Sequence, residues 1–293
     1  MTPHVLRAWE RRYQVVAPSR TEGGQRLYSD LDVQRLRLIR GLAQRGHSLA
    51  RLGSASLEEL ERTAREEAAP RSIDGSAMAV ESGAEEFRSA VLSAARQLDA
   101  AELQATLERA TVTLGVPGFL EQVVAPSLQG IGKGWTEGTV SIAQEHLATA
   151  VFGRVLGWIL RVYEVAHPAP RLVVATPPRQ LHELGAMLAG ASAASQGWDV
   201  TYLGANLPIT EILAAARQVG ANGVALSIVH PACDPGLVSD LEQLRRGLDS
   251  RAAVLLGGYA ASQDRERLTT IGAQVLDSLP EFRSSLQRLR ERV

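Results

Sequence analysis

The chain has 293 residues, 45% of them hydrophobic and 22% charged, with a formal net charge of -1. That length supports two or three compact units, each with its own core, and the near-neutral total excludes a global electrostatic argument for nucleic acid or membrane, so any polyanion site must be local. Cys233 is the single cysteine, which excludes an internal disulfide framework; no secretory pattern or long uninterrupted apolar span is read, and a cytoplasmic protein without membrane contact is expected.

Basic charge concentrates at the start. Ten arginines between residues 1 and 53, among them Arg7, Arg11, Arg12, Arg20 and Arg26, face only Glu10, Glu22, Asp30 and Asp32. "TPHVLRAWERRY" predicts a helix with Thr2 as N-cap and Pro3 at the first helical position. "APSRTEGGQRLYS" puts a Gly23-Gly24 turn between two short extended pieces, and "SDLDVQRLRLIRGLAQRGHSLARL" returns to helical spacing. Helix, basic hairpin, helix is a winged-helix layout. With Arg20 and Arg26 flanking the turn, DNA binding is favoured over a solvated basic face.

This first domain spans 1–67. Over 68–83 the residues Pro70, Gly75 and Gly83 among small polar neighbours predict a flexible linker. Residues 84–167 read as a four-helix bundle. Asp99 caps a helix through Leu114, Gly115 to Pro117 break it, and Ser141 with Gln144 forms a capping box before a long apolar helix. Within it, "GWTEGTVSIAQEH" closes one helix with Trp135 and opens the next with Glu145 and His146. An aromatic, a carboxylate and an imidazole can meet at the bundle's mouth; equally, Trp135 is core and Glu145 compensates a helix N-terminus.

From 168 to 293 strands alternate with helices: "RLVVATPP", "DVTYLGA", "GVALSIV", "AAVLLGG" and "AQVLDS", each followed by an amphipathic stretch. Apolar strands so spaced predict a parallel sheet covered on both faces. Ligands bind such sheets beyond the carboxyl ends of the strands. His182 follows the first strand there, Ser227 closes the third, and Gly257 with Gly258 closes the fourth. A glycine pair lets a ligand slide deep against the backbone. His182 in "RQLHELG" is either a polar loop residue or a group held out to grip something.

The first block, "TPHVLRAWERRY…PSRTEGGQRLYSDLDVQRLRLI", closely resembles the DNA-binding head of MerR-type transcription regulators. The resemblance implies groove or backbone contacts from Arg7, Arg11, Arg12 and Tyr13, and wing contacts from Arg20, Arg26 and Tyr28. That family normally has another helix before this block, so the head is expected to be incomplete at its start or to begin upstream of Met1.

The last region resembles the cobalamin-binding domain, whose signature is an acidic residue, any residue, histidine, two more, then glycine, followed by a serine-containing strand end and a glycine pair. Gln180, His182, Gly185, Ser227, Gly257 and Gly258 stand at those places. The resemblance implies a flavodoxin-like (Rossmann-like) fold in which His182 coordinates cobalt from below, displacing the nucleotide base into the crevice. Gln180 replaces the family's carboxylate and cannot supply negative charge, so His182 is expected to be a weaker electron donor, although the amide oxygen could still orient the ring.

A tryptophan, nine residues and then Glu-His resembles the light-sensing CarH type of MerR regulators. It implies that Trp135, Glu145 and His146 cap the upper face of adenosylcobalamin in a non-enzymatic repressor. In that type the dark, loaded form is a homotetramer on operator DNA, and light takes it apart. Relatives carry a histidine directly after the tryptophan; Thr136 stands there, and a hydroxyl is a poor cobalt ligand, so the bis-histidine state that follows illumination is not expected. Two other readings stay open. One is a corrinoid methyl carrier of a methyltransferase system, against which the basic head argues. The other is a MerR-like regulator that senses a different tetrapyrrole or no cofactor.

Overall fold

The structure, a computed structural model, describes Glu10 and residues 15–16, 18–20, 26–44, 49–68, 74–163 and 168–292. The chain divides into two compact units, 1–148 and 149–293.

In the first unit, β1 (Ser19–Arg20) and β2 (Arg26–Leu27) pair antiparallel as the predicted wing, Arg20 opposite Arg26. Helices α1 (Asp30–Gln44), α2 (Leu49–Ser54) and α3 (Leu57–Ala68) follow. Two reciprocal caps start α1 and α3: Ser29 with Asp32, and Ser56 with Glu59, each pair exchanging two backbone-to-side-chain hydrogen bonds. Val15, Val16, Ile39, Leu42, Leu52 and Leu60 bury together as a small core.

The predicted linker is shorter than its composition suggests. Helix α4 (Asp74–Arg96) covers most of 68–83, while residues 69–73 lie outside the described residues. Glycine inside a helix costs only about 1 kcal/mol against alanine, a penalty that a helix of 23 residues absorbs. A Cβ at Gly83 would meet nothing within 4 Å, so no close packing requires that glycine.

Helix α5 (Ala100–Gly118) starts where expected: the Asp99 carboxylate accepts from the Glu102 N–H at 2.9 Å. It is interrupted where expected too, at Gly115, whose φ of 67° and ψ of 165° are not helical. A π-helical turn (Phe119–Val124) leads into α6 (Ala125–Thr136), and α7 (Ile142–Val162) opens on the predicted box. There the Ser141 N–H donates to Gln144 Oε1 at 2.8 Å, and the Gln144 N–H donates to Ser141 Oγ at 3.3 Å.

The second unit begins inside α7. Its five strands, β3 (Arg171–Ala175), β4 (Asp199–Gly204), β5 (Gly223–Ser227), β6 (Ala253–Gly257) and β7 (Gln274–Leu276), form one parallel sheet in the order β4-β3-β5-β6-β7. Successive side chains take opposite faces. Val173, Val224, Leu226, Val254 and Leu256 pack against α9 (Ile209–Val219), α10 (Pro235–Gly247) and the short helices α11 (Tyr259–Gln263) and α12 (Arg265–Thr270). Leu172, Val174, Ala225 and Leu255 face the other way, toward α8 (Leu184–Ser195) and α13 (Leu279–Arg290).

Helix α8 is small-residue rich and almost wholly buried, because it has neighbours on two sides. A Cβ at Gly190 would stand 3.1 Å from Leu160 and 3.5 Å from Val200, so the C-terminal half of α7 reaches the sheet layer only because that side chain is missing. The compact-unit boundary falls within α7. Among the described residues, no helix is long and apolar enough to cross a membrane.

Replacing Asp99 by alanine should destabilise the bundle by about 1 kcal/mol through loss of the N-cap. Urea unfolding followed by helical ellipticity reads this; an unchanged midpoint would mean that the cap contributes nothing.

Candidate functional site

Strands β3 and β5 are neighbours, and the helices that follow them, α8 and α10, lie on opposite faces of the sheet. Their connecting loops therefore diverge and leave a crevice at the carboxyl ends. His182 lies in the β3–α8 loop with its imidazole exposed. Gly185 sits in the first turn of α8, where a Cβ would lie 2.5 Å from Ser227 Oγ. Any side chain at 185 would collide with the serine, so the start of α8 and the end of β5 meet through Gly185 and Ser227, with His182 three residues before that glycine.

The glycine pair behaves differently at its two positions. Gly258 has φ 100°, and a Cβ there would stand 2.5 Å from the Ile228 carbonyl oxygen. Its backbone approach to the β5 loop demands glycine before any ligand is considered, which corrects its assignment to ligand access alone. Gly257 meets nothing closer than the Leu276 oxygen at 3.7 Å and leaves open floor.

The expectation for Gln180 fails. Its side chain is 1% exposed and does not orient His182. Oε1 accepts from the N–H groups of Val229 (2.9 Å) and His230 (3.0 Å), while Nε2 donates to the Pro231 carbonyl (2.8 Å). The amide thus ties the β3–α8 loop to the β5–α10 loop across the crevice. Arg179 strengthens the tie with an ion pair to Asp234 at 2.5 Å. That contact and the Leu237 N–H bring the Asp234 carboxyl down to about 2. Arg179 and Asn206 both adopt positive φ, at 68° and 58°, and the Arg179 N–H donates to Asn206 Oδ1 at 2.6 Å.

Sequence reasoning missed His230. Its ring centroid lies 6.4 Å from that of His182, at an interplanar angle of 68°, and its side chain is exposed. The signal was available: His230 stands three residues beyond Ser227, at the same strand end. Leu181, next to His182 in the chain, and Tyr259, after the glycine pair, are exposed large hydrophobic side chains, at 70% and 72%. The Tyr202 hydroxyl donates to Glu183 at 2.6 Å, and burial, then that carboxylate, pushes its pKa up.

In the first unit, Trp135 lies in the last turn of α6, half exposed. The turn after it is tight: the N–H groups of Thr139 and Val140 donate to the Gly134 oxygen, and a Cβ at Gly134 would lie 2.6 Å from Val140. Glu145 and His146 open α7, with His146 Nδ1 2.7 Å from Glu145 Oε2. The Thr136 hydroxyl donates to the Gly132 carbonyl at 3.0 Å.

Of the residues proposed for DNA, Arg7, Arg11, Arg12 and Tyr13 lie outside the described residues, as does the side chain of Arg20. Arg26 and Tyr28 are both engaged by one carboxylate. Arg26 Nε donates to Glu10 at 2.9 Å, and the Tyr28 hydroxyl donates to the second oxygen of the same carboxylate. Both residues fasten the wing to Glu10.

Residues 1–54 match the MerR HTH family regulatory proteins, and residues 88–160 and 170–277 each match a B12 binding domain. The HTH-type transcriptional repressor CarH of Myxococcus xanthus is 30% identical over 262 residues, covering 88% of this chain and 84% of the relative. The repressor CarA of the same organism is 29% identical over 279 residues, covering 94% and 89%. Among solved structures, the monomethylamine corrinoid protein of Methanosarcina barkeri shares the fold. It has a TM-score of 0.57 at 13% identity and covers 70% of this chain and 99% of that one.

Gln180→Ala would leave two N–H groups and a carbonyl without their partner, at a cost of about 1–3 kcal/mol for each group that water cannot reach. The variant should unfold at lower urea concentration and exchange the Val229 and His230 amide protons faster. Unaltered exchange at both would show that the amide does not hold the loop.

Proposed function

Because this chain belongs to the MerR-type transcriptional repressors that carry B12-binding domains, we propose that it is an adenosylcobalamin-dependent repressor whose assembly on operator DNA follows the state of the upper cobalt ligand. It is a regulator and not an enzyme. The observation that carries the reading is the exposed imidazole of His182 at the switch-point crevice, beside Gly185 and Ser227.

The residues present fit the group. Imidazole is a suitable neutral donor to cobalt. Among the described residues, no three histidine, cysteine, aspartate or glutamate side chains gather in one place. A corrin supplies four ring nitrogens to its metal and needs only one axial donor from a protein. Gly257, where a Cβ would meet nothing closer than 3.7 Å, would face the parts below the ring, and the exposed side chains of Leu181 and Tyr259 would be covered. When bound, adenosylcobalamin supplies a cobalt–carbon bond that light can break.

On this reading His182 supplies the lower nitrogen, and Trp135, Glu145 and His146 are assigned to the upper group. The Glu145 carboxylate is already beside His146 and can hold that imidazole in one orientation. Thr136 offers no imidazole, and its hydroxyl is spent on its own helix, so illumination should not produce a bis-histidine species. The switch is a ligand-biased assembly: contacts made only with the upper group stabilise the tetramer, and losing them removes the bias. Several heads joined in one assembly gain operator affinity through effective concentration. Arg7, Arg11, Arg12, Tyr13, Arg20, Arg26 and Tyr28 are the proposed contacts to DNA, the last two on a wing that Glu10 fastens, and the reading puts the protein in the cytoplasm.

His182→Ala should weaken cobalamin binding at least tenfold and alter the absorption spectrum. Equal affinity and spectrum would remove this residue as the ligand. Size-exclusion chromatography should show a larger species with adenosylcobalamin in the dark and a smaller one after green light; one elution volume under all conditions would refute the switch. Arg20→Ala should lower operator affinity and flatten its salt dependence by about one phosphate contact. Glu10→Ala should lower affinity by loosening the wing; a variant that binds as the parent does would deny the tether any part in DNA binding.

A further inference from the structure

Resting on the cobalamin reading above, we propose that His230 is the partner of the second ring nitrogen of His182, in the role a carboxylate would otherwise fill. Gln180 is then the positioning residue that puts it there. A histidine that binds metal through one nitrogen almost always hands the other N–H to an acceptor, which fixes its tautomer and orientation. Among the described residues, no hydrogen bond reaches the His182 ring.

Other polar groups on these loops already have partners. The Gln180 amide is spent on Val229, His230 and Pro231. Glu183 accepts from Tyr202, and Asp234 is paired with Arg179. His230 remains, exposed, with its ring 6.4 Å from that of His182. Two imidazoles joined by a direct N–H···N bond have centroids about 5 Å apart, so a side-chain rotation of about 1 Å, or one bridging water, closes the gap.

The loop geometry favours this. Gln180 holds the backbone on both sides of the His230 side chain, at the N–H groups of Val229 and His230 and at the Pro231 carbonyl. The imidazole can turn about its own bonds but cannot drift from the crevice. A neutral acceptor also leaves His182 a weaker donor than a carboxylate would.

The test compares the parent, His182→Ala, His230→Ala and His230→Asn, with adenosylcobalamin and with cob(II)alamin as probes. His230→Ala should bind roughly tenfold more weakly and change the axial-nitrogen splitting in the electron paramagnetic resonance spectrum of bound cob(II)alamin. His230→Asn, which keeps an acceptor at that place, should recover most of both. In the protein without cofactor, nitrogen-15 NMR of the ring nitrogens should show the tautomer balance of His182 changing in His230→Ala and not in His230→Asn. A parent that binds no cobalamin overturns the cofactor reading itself. A parent that binds with an axial nitrogen lost in His182→Ala, while His230→Ala matches the parent in affinity, splitting and tautomer, overturns this proposal alone.

Discussion

The ligand edge of the α/β unit depends on one buried amide. Gln180 is the link between two loops that the sheet topology drives apart, since α8 and α10 leave on opposite faces. Buried polar groups persist only when paired, and this one is paired as both acceptor and donor. A carboxylate at 180 could accept from Val229 and His230 but could not donate to the Pro231 carbonyl, and it would put a charge where 1% of the residue meets solvent. The neutral side chain is thus matched to its surroundings. It is not a weakened copy of an acid.

That match reaches the proposed cofactor chemistry. With Gln180 turned toward the neighbouring loop, the acceptor for His182 must come from elsewhere, and the loop that Gln180 holds carries His230. In the first unit, the Thr136 hydroxyl is likewise spent within its own helix, on the Gly132 carbonyl.

The head follows a similar economy. Glu10 receives both Arg26 and Tyr28, so the basic wing is fastened by a carboxylate that is only 11% exposed. Arg35 donates to the carbonyls of Val15 and Gly53 at 2.6 and 2.8 Å, closing the small core. Arginines counted together in a basic segment therefore include some that hold the domain together. A count of charge does not separate them.

Local signals were legible in the sequence because their causes are local. The Asp99 cap, the Gly115 break, the Ser141 and Gln144 box and the five apolar strands each need only neighbours within a few positions, and each stands where its residues predict. The linker was misjudged because glycine lowers helix propensity without forbidding a helix, and 23 residues together outweigh two of them. What only the tertiary structure decided joins positions far apart in the chain: Gln180 with residues 229–231, Gly185 with Ser227, Gly258 with Ile228, Glu10 with the wing. A hydrogen bond or a steric limit between such positions has no periodicity to betray it. It exists only once the sheet order brings the two loops to the same edge.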